Sequence, residues 1–94
     1  IAYEPVWALS TTVGRKDATP DDSREMSVFI RKILSDKFGV KTKIPRIIYG
    51  GSVNDKNISE FIMNGGIEGA LVGGASLDSK KFLEIINITE NAIN

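Results

Sequence analysis

One acidic residue stands at the end of a short apolar run, where a carboxylate could act as a base. Glu4 follows Ile1-Ala2-Tyr3 and directly precedes Pro5-Val6-Trp7. Enzymes built on parallel strands place their working residues at the carboxyl ends of those strands, and a carboxylate there can accept a proton. The alternative is a glutamate that only ends a strand in solvent, and Glu4 taken alone leaves both interpretations open.

A polar segment of small residues follows, between a rigid start and a helix cap. It runs from Ala8 to Asp17, after Pro5-Val6-Trp7 and before Thr19. Such a segment could close over a site as a lid on stiff hinges. It could equally be an ordinary surface connection, and the segment by itself does not decide between the two.

Two glycine pairs follow β-rich runs farther along the chain. The first lies in Tyr49-Gly50-Gly51-Ser52-Val53 and the second in Leu71-Val72-Gly73-Gly74-Ala75-Ser76. Glycine lets backbone N–H groups approach an anion closely, and a following helix N-terminus adds partial positive charge. Either pair alone is equally typical of a turn. Two such loops at the ends of neighbouring parallel strands predict a phosphate site.

Three β-rich runs, at 1–3, 44–49 and 70–72, alternate with three segments of helical apolar spacing. This βαβαβα order predicts an α/β fold with parallel strands. Both faces of a parallel sheet are normally covered, and about three strands cannot provide that cover. We therefore expect a segment of a larger fold.

The first helix has clear boundaries in the sequence. Thr19 is the expected N-cap, Pro20 the first helical residue and Gly39 the end. Its apolar residues recur every three or four positions and predict one stripe: Met26, Phe29, Ile30, Ile33, Leu34 and Phe38.

The other two helices are shorter or less amphipathic. The second is predicted to begin near Asn54 or Asp55 and to stop at Gly65-Gly66. It should bury Ile58, Phe61 and Ile62. The third is predicted from about Ser79 toward Glu90. Phe82, Leu83 and Ile86 share one face, and Ile85 and Ile88 widen it.

Composition excludes several classes of function. Lys plus Arg and Asp plus Glu each number 12 among 94 residues, so no net charge favours nucleic acid or an anionic membrane. No apolar run approaches the length of a membrane span. The chain has neither Cys nor His, which removes disulfides and the commonest acid–base group and metal ligand.

Four segments, in this order and at compatible spacing, resemble triosephosphate isomerase: Ala2 to Ala8, Ala18-Thr19-Pro20, Ile48 to Val53 and Leu71 to Leu77. The resemblance covers essentially the whole chain. It implies the sixth, seventh and eighth strand–helix units of a barrel of typically about 250 residues. The expected fold is thus a partial (βα)8 TIM barrel, in which residues 1–94 form the C-terminal part of a single domain and about five N-terminal units are absent.

The resemblance implies a role for each matching residue. Glu4 would be the base that moves a proton between adjacent carbons of a triose phosphate through an enediol. The two lid hinges would be Pro5-Val6-Trp7 and Lys16-Asp17-Ala18. The backbone N–H groups expected to hold the phosphate belong to Ser10, Ser52, Gly73 and Gly74. Tyr49 and Ser52 would bond the closed lid.

The chain departs from the family pattern in two respects. The lid carries Leu9 to Arg15 where the family has a Gly-Thr-Gly run, and it is about three residues longer, so its tip contacts should differ. The histidine that polarises the substrate carbonyl and the lysine that faces its phosphate come from earlier strands in this family. We therefore expect the isolated chain to lack isomerase activity.

The resemblance also implies the setting of the complete enzyme. It would be a cytoplasmic homodimer that acts on a triose phosphate in glycolysis and gluconeogenesis. It would need no cofactor or metal and would bind neither nucleic acid nor a membrane. Two alternatives remain open. One is a noncatalytic phosphate-binding half barrel, and the other is a different phosphate-binding barrel enzyme, which would not be expected to share Tyr3-Glu4-Pro5-Val6-Trp7.

Overall fold

A computed structural model of the chain describes residues 1–9, 13–14, 16–39, 41 and 43–93. Short strands alternate with helices along these residues. The elements are β1 (Ala2–Tyr3), α1 (Pro20–Phe38), β2 (Ile48–Tyr49), α2 (Ile58–Asn64) and α3 (Ser79–Ile93), with 3₁₀ helices at Val6–Ala8 and Gly74–Leu77. The predicted α/β class is confirmed.

The two strands are parallel neighbours. Ala2 pairs with Ile48 and Tyr3 with Tyr49. On the other side of β2, Tyr49 forms a single parallel bridge with Ala70, made by the Tyr49 N–H to Gly69 O at 3.1 Å and the Leu71 N–H to Tyr49 O at 2.8 Å. The expected strands at 44–49 and 70–72 were therefore too long. A strand extends only as far as a neighbouring backbone can pair with it. The run at 70–72 lies beside β2, which ends at Tyr49, so it forms the bridge at Ala70 rather than a longer strand.

Helix α1 begins and ends where the sequence predicts. The Thr19 Oγ1 accepts a hydrogen bond from the Asp22 N–H at 3.1 Å, and Asp22 Oδ2 accepts one from the Thr19 N–H at 2.9 Å. This reciprocal pair satisfies two backbone donors at the helix start. At the other end Gly39 has a φ of 92° and donates its N–H to Ser35 O at 2.8 Å.

The buried face of α1 is formed by small polar residues. Ser23 and Ser27 are its fully buried residues, and Ser23 Oγ donates to Gly65 O at 2.9 Å. A Cβ on Gly66 would collide with Ser27 Oγ, so the end of α2 approaches α1 through glycine. Half of the predicted apolar stripe is exposed, at Phe29, Ile33 and Phe38, and its other three residues are half-buried.

Helix α2 begins later than predicted. Asn54 Oδ1 accepts hydrogen bonds from the N–H groups of Lys56 and Asn57 at 2.8 and 3.0 Å, and this turn delays the helix to Ile58. Ile58 and Phe61 are buried as expected, and Ile62 is half-buried against the core.

The core lies between the strands and helices α2 and α3. It consists of Tyr49, Val53, Ile58, Phe61, Ile67 and Ile85. The rings of Tyr49 and Phe61 stack with centroids 4.4 Å apart. In the predicted face of α3, Phe82, Leu83 and Ile86 are exposed. The helix meets the core through the two residues expected to widen that face, Ile85 and Ile88.

Candidate active site

Glu4 lies at the carboxyl end of β1, beside the loop that follows β2. The Gly50 N–H donates to Tyr3 O at 2.8 Å and draws the two strand ends together. A Cβ on residue 50 would lie only 2.7 Å from Glu4 Cγ. Glycine at this position therefore lets the Glu4 side chain cross the end of β2, where it is exposed to solvent.

The expected first hinge is a 3₁₀ helix anchored at its start. Pro5 is buried, and the Ala8 N–H donates to Pro5 O at 2.9 Å. Within the same hinge Val6 and Trp7 are exposed.

The expected second hinge lies next to the first. The Lys16 N–H donates to Trp7 O at 2.9 Å, so the two ends of the expected lid are held together. Asp17 is exposed, and Ala18 is half-buried against the core. Ser10, the expected phosphate contact of the lid, lies outside the described residues.

Ser52 joins the first glycine loop to the first hinge. Its Oγ donates to Ala8 O at 2.8 Å, and Ala8 is fully buried. The contact joins residues that are 44 positions apart in the chain. The loop after β2 and the segment after Glu4 are thereby fixed relative to one another.

Tyr49, expected to bond the closed lid, lies beneath the first glycine loop. Its side chain is 1% exposed, and a Cβ on Gly51 would collide with its hydroxyl group. Burial raises the pKa of Tyr49 to about 12, with smaller contributions from Tyr3, Asp17 and Asp22. The phenol therefore stays protonated at ordinary pH and keeps a proton to donate.

The second glycine pair is open to its surroundings. Gly73 and Gly74 are exposed, and a Cβ added to either would meet no atom of the described part of the chain within 4 Å. Ser76 bonds back to Gly73 O through its Oγ at 2.6 Å and its N–H at 2.9 Å. Packing among the described residues does not require glycine here, whereas close approach of a ligand would.

The two glycine loops border one cavity of about 270 Å³. Its lining residues are Gly51, Ser52, Val53, Asn54, Gly73, Gly74, Ala75, Asp78 and Lys81. Ser52, Gly73 and Gly74, which the sequence predicts to bind phosphate together, meet here. Glu4 is not among the lining residues.

Sequence reasoning predicted Ser52 but missed the other polar side chains that line this cavity, Asn54, Asp78 and Lys81. Lys81 is its one cationic lining residue within the described ranges. Asp78 Oδ1 accepts hydrogen bonds from the N–H groups of Lys80 and Lys81 at 3.0 and 3.2 Å, which directs that carboxylate toward the start of α3. Lys81 could have been found from the sequence, because it lies near the predicted start of a helix that follows a glycine loop.

No helix in the described part of the chain is both long and apolar enough to cross a membrane. Likewise, no group of three or more potential metal-binding side chains is found among the residues whose positions are described.

Comparison with known proteins agrees with the motifs. A family model described as triosephosphate isomerase matches residues 1–89. The triosephosphate isomerase of Carboxydothermus hydrogenoformans is 52% identical over 88 residues, covering 92% of this chain and 34% of the relative. That of Endomicrobium trichonymphae is 44% identical over 90 residues, covering 96% and 35%. A crystal structure of triosephosphate isomerase from Bartonella henselae matches with a TM-score of 0.75 and 38% identity, over 95% of this chain and 34% of that chain.

These relatives are about three times as long as the region they share with this chain. The chain spans about a third of their length. Identity of this extent, the match to the family model and the agreement in fold all point to one family. The chain therefore belongs to the triosephosphate isomerase family.

Proposed function

We propose that this chain is the part of a triose-phosphate isomerase that supplies the catalytic base, the lid and the phosphate loops. The reaction interconverts dihydroxyacetone phosphate and glyceraldehyde 3-phosphate. One residue carries the proposal best. Ser52 lines the cavity between the glycine loops. It also donates to Ala8 O at 2.8 Å, directly after the expected hinge Pro5-Val6-Trp7 that follows Glu4.

Each group has a defined task in this mechanism. The Glu4 carboxylate takes a proton from one carbon of the substrate and returns it to the neighbouring carbon, through an enediol or enediolate. Backbone N–H groups of Ser52, Gly73 and Gly74, with Ser10 from the lid, hold the phosphate. The hinges Pro5-Val6-Trp7 and Lys16-Asp17-Ala18 let the lid close, and Tyr49 bonds it when closed.

The proposed architecture is the C-terminal part of a single (βα)8 barrel domain that includes residues 1–94. In support, β1, β2 and the Ala70 bridge are parallel and lie side by side in chain order. Consecutive strands of such a barrel are neighbours in this way. The complete enzyme would be a cytoplasmic homodimer of glycolysis and gluconeogenesis.

The isolated chain should be inactive. It contains no His, so it cannot supply the imidazole that polarises the substrate carbonyl. It also matches only about a third of the length of its relatives. Turnover would therefore require the preceding barrel units.

A noncatalytic phosphate-binding half barrel is the second candidate. The cavity is lined by residues of both glycine loops, and Glu4 is not among its described lining residues. Phosphate binding could thus persist without the base.

Coupled-assay turnover of glyceraldehyde 3-phosphate distinguishes these candidates. The chain is assayed alone and as a chimeric enzyme, in which the preceding barrel units of a relative are fused to it. Activity in the chimeric enzyme and its loss in Glu4→Gln would support the isomerase. A folded chimeric enzyme that binds phosphate without turnover would favour the half barrel, and turnover by the isolated chain would contradict its proposed inactivity.

A further inference from the structure

Asn57 links the start of α2 to the first glycine loop. Its Nδ2 donates to Ser52 O at 2.7 Å, and its Oδ1 accepts from the Asn54 N–H at 2.8 Å. The two bonds use both ends of the side-chain amide and so fix its orientation. Asn57 is half-buried, which shields these bonds from water.

The helix itself does not account for this asparagine. Asn57 occupies the N-cap of α2, where asparagine commonly accepts a hydrogen bond from the helix backbone. Within the residues that the structure describes, its side chain makes no such capping bond. The amide instead reaches back along the chain to Ser52.

Ser52 is held from two directions. Asn57 binds its carbonyl oxygen, while its own Oγ donates to Ala8 O at 2.8 Å. Two bonds to residues in different elements restrict the backbone and the side chain of Ser52 to one arrangement. A displacement of about 1 Å in a site of this kind can lower a rate about a hundredfold.

We infer that Asn57 is a positioning residue. It fixes the position of the first glycine loop and, through the bond from Ser52 to Ala8, that of the segment that carries the first lid hinge. This inference rests on the proposed isomerase function. Asn57 is not among the described residues that line the cavity. It acts by holding the carbonyl oxygen of Ser52, which lines the cavity and also bonds to Ala8.

Two substitutions separate this role from helix stabilisation. Asn57→Asp keeps an oxygen for the Asn54 N–H but replaces the donor that binds Ser52 O. Asn57→Ser keeps a residue that is favoured as an N-cap but is too short to reach Ser52. A role confined to α2 predicts that both variants behave like the wild type.

The experiment measures kcat and KM of the chimeric enzyme, its dissociation constant for inorganic phosphate and its midpoint of thermal unfolding. Loss of one hydrogen bond should raise both KM and the phosphate dissociation constant by about three- to tenfold in each Asn57 variant. Asn64→Asp is the matched control. It makes the same chemical change at an exposed residue of α2, so it can shift the unfolding midpoint but should leave both constants unchanged.

Failure of the inference can be told from failure of the proposed function. If the chimeric enzyme turns over and both Asn57 variants match the wild type in KM and phosphate affinity, the inference is wrong and the isomerase stands. If turnover is absent but phosphate binds, weaker phosphate binding in the Asn57 variants still supports the inference. If neither turnover nor phosphate binding is found, both fall.

Discussion

Glu4 lies against Gly50 so closely that a Cβ on residue 50 would sit 2.7 Å from Glu4 Cγ. The Gly50 N–H bond to Tyr3 O, at 2.8 Å, fixes this approach at the strand ends. The position of the proposed base therefore depends on glycine, which has no side chain, at residue 50 directly after β2. Gly50 is buried, so a new methyl group would have to displace Glu4.

Gly50→Ala should lower kcat of the chimeric enzyme by about 10- to 100-fold, because it moves the carboxylate away from the reacting carbon. The phosphate dissociation constant should change little. Steady-state kinetics of Gly50→Ala, Glu4→Gln and the double variant form the test. Since both changes act through one carboxylate, the double variant should be no slower than Glu4→Gln; additive losses would show that Gly50 acts elsewhere.

Lys81→Gln should raise KM for the triose phosphate by about two- to fivefold, because it removes positive charge from an exposed part of the cavity wall. The difference from the wild type should shrink at high salt. KM measured at two salt concentrations checks both statements. Lys80→Gln makes the same change at a neighbouring exposed residue that does not line the cavity, and equal effects of the two substitutions would contradict a local role for Lys81.

Ionisation of Tyr49 should destabilise the protein at alkaline pH. Its pKa is raised from 10.0 to about 12 by burial first and then by Tyr3, Asp17 and Asp22. The folded state thus holds the phenol proton more tightly than the unfolded state does. This stabilisation is fully present below about pH 10 and is lost as the pH rises through about 12.

Tyr49→Phe should flatten that part of the stability profile. The measurement is the midpoint of chemical unfolding between neutral pH and pH 12, with Tyr3→Phe for comparison. The Tyr3 pKa is also raised, by burial and by Asp22, so this variant reports how far a second tyrosine shares the effect. An alkaline loss of stability that is the same in the wild type and Tyr49→Phe would refute the assignment.

Gly66→Ala should lower the free energy of unfolding by about 1–3 kcal/mol or more, because the new residue would need a positive φ. The φ of Gly66 is 68°, and its Cβ would also collide with Ser27 Oγ. Gly14→Ala is the matched control, since Gly14 has a φ of 72° but no atom of the described residues within 4 Å of its Cβ. Chemical unfolding should show the larger loss for Gly66→Ala; equal losses would mean that the contact with Ser27 adds nothing.

Hydrogen bonds between residues close in the chain decide where α1 and α2 begin and end. Both ends of α1 were correct because Thr19 and Gly39 bond to residues within one turn of the helix. The start of α2 was wrong because Asn54 forms a competing turn with its own side chain. Both features are local, but the second depends on a side-chain bond that apolar spacing does not reveal.

Most of the remaining errors concern contacts between distant residues. Ser23 forms the buried face of α1 by bonding to Gly65, 42 positions away, and hydrophobic spacing cannot register a buried serine. The two glycine loops were expected to lie together because strand ends converge in parallel folds, and both line one cavity. The proposed role of Lys81 depends on how α3 turns back on that cavity, which is set by tertiary packing. That of Asn57 depends on a side-chain bond to Ser52, only five residues earlier, which apolar spacing does not reveal.

The hydrogen bond from the Lys16 N–H to Trp7 O, at 2.9 Å, has a consequence for how the family can vary. It closes a loop whose interior, residues 8 to 15, numbers eight. Closure entropy grows only with the logarithm of loop length, so lengthening such a loop from about five to eight residues costs roughly 0.4 kcal/mol. Insertions between Trp7 and Lys16 should therefore carry almost no thermodynamic penalty, provided that this hydrogen bond is kept.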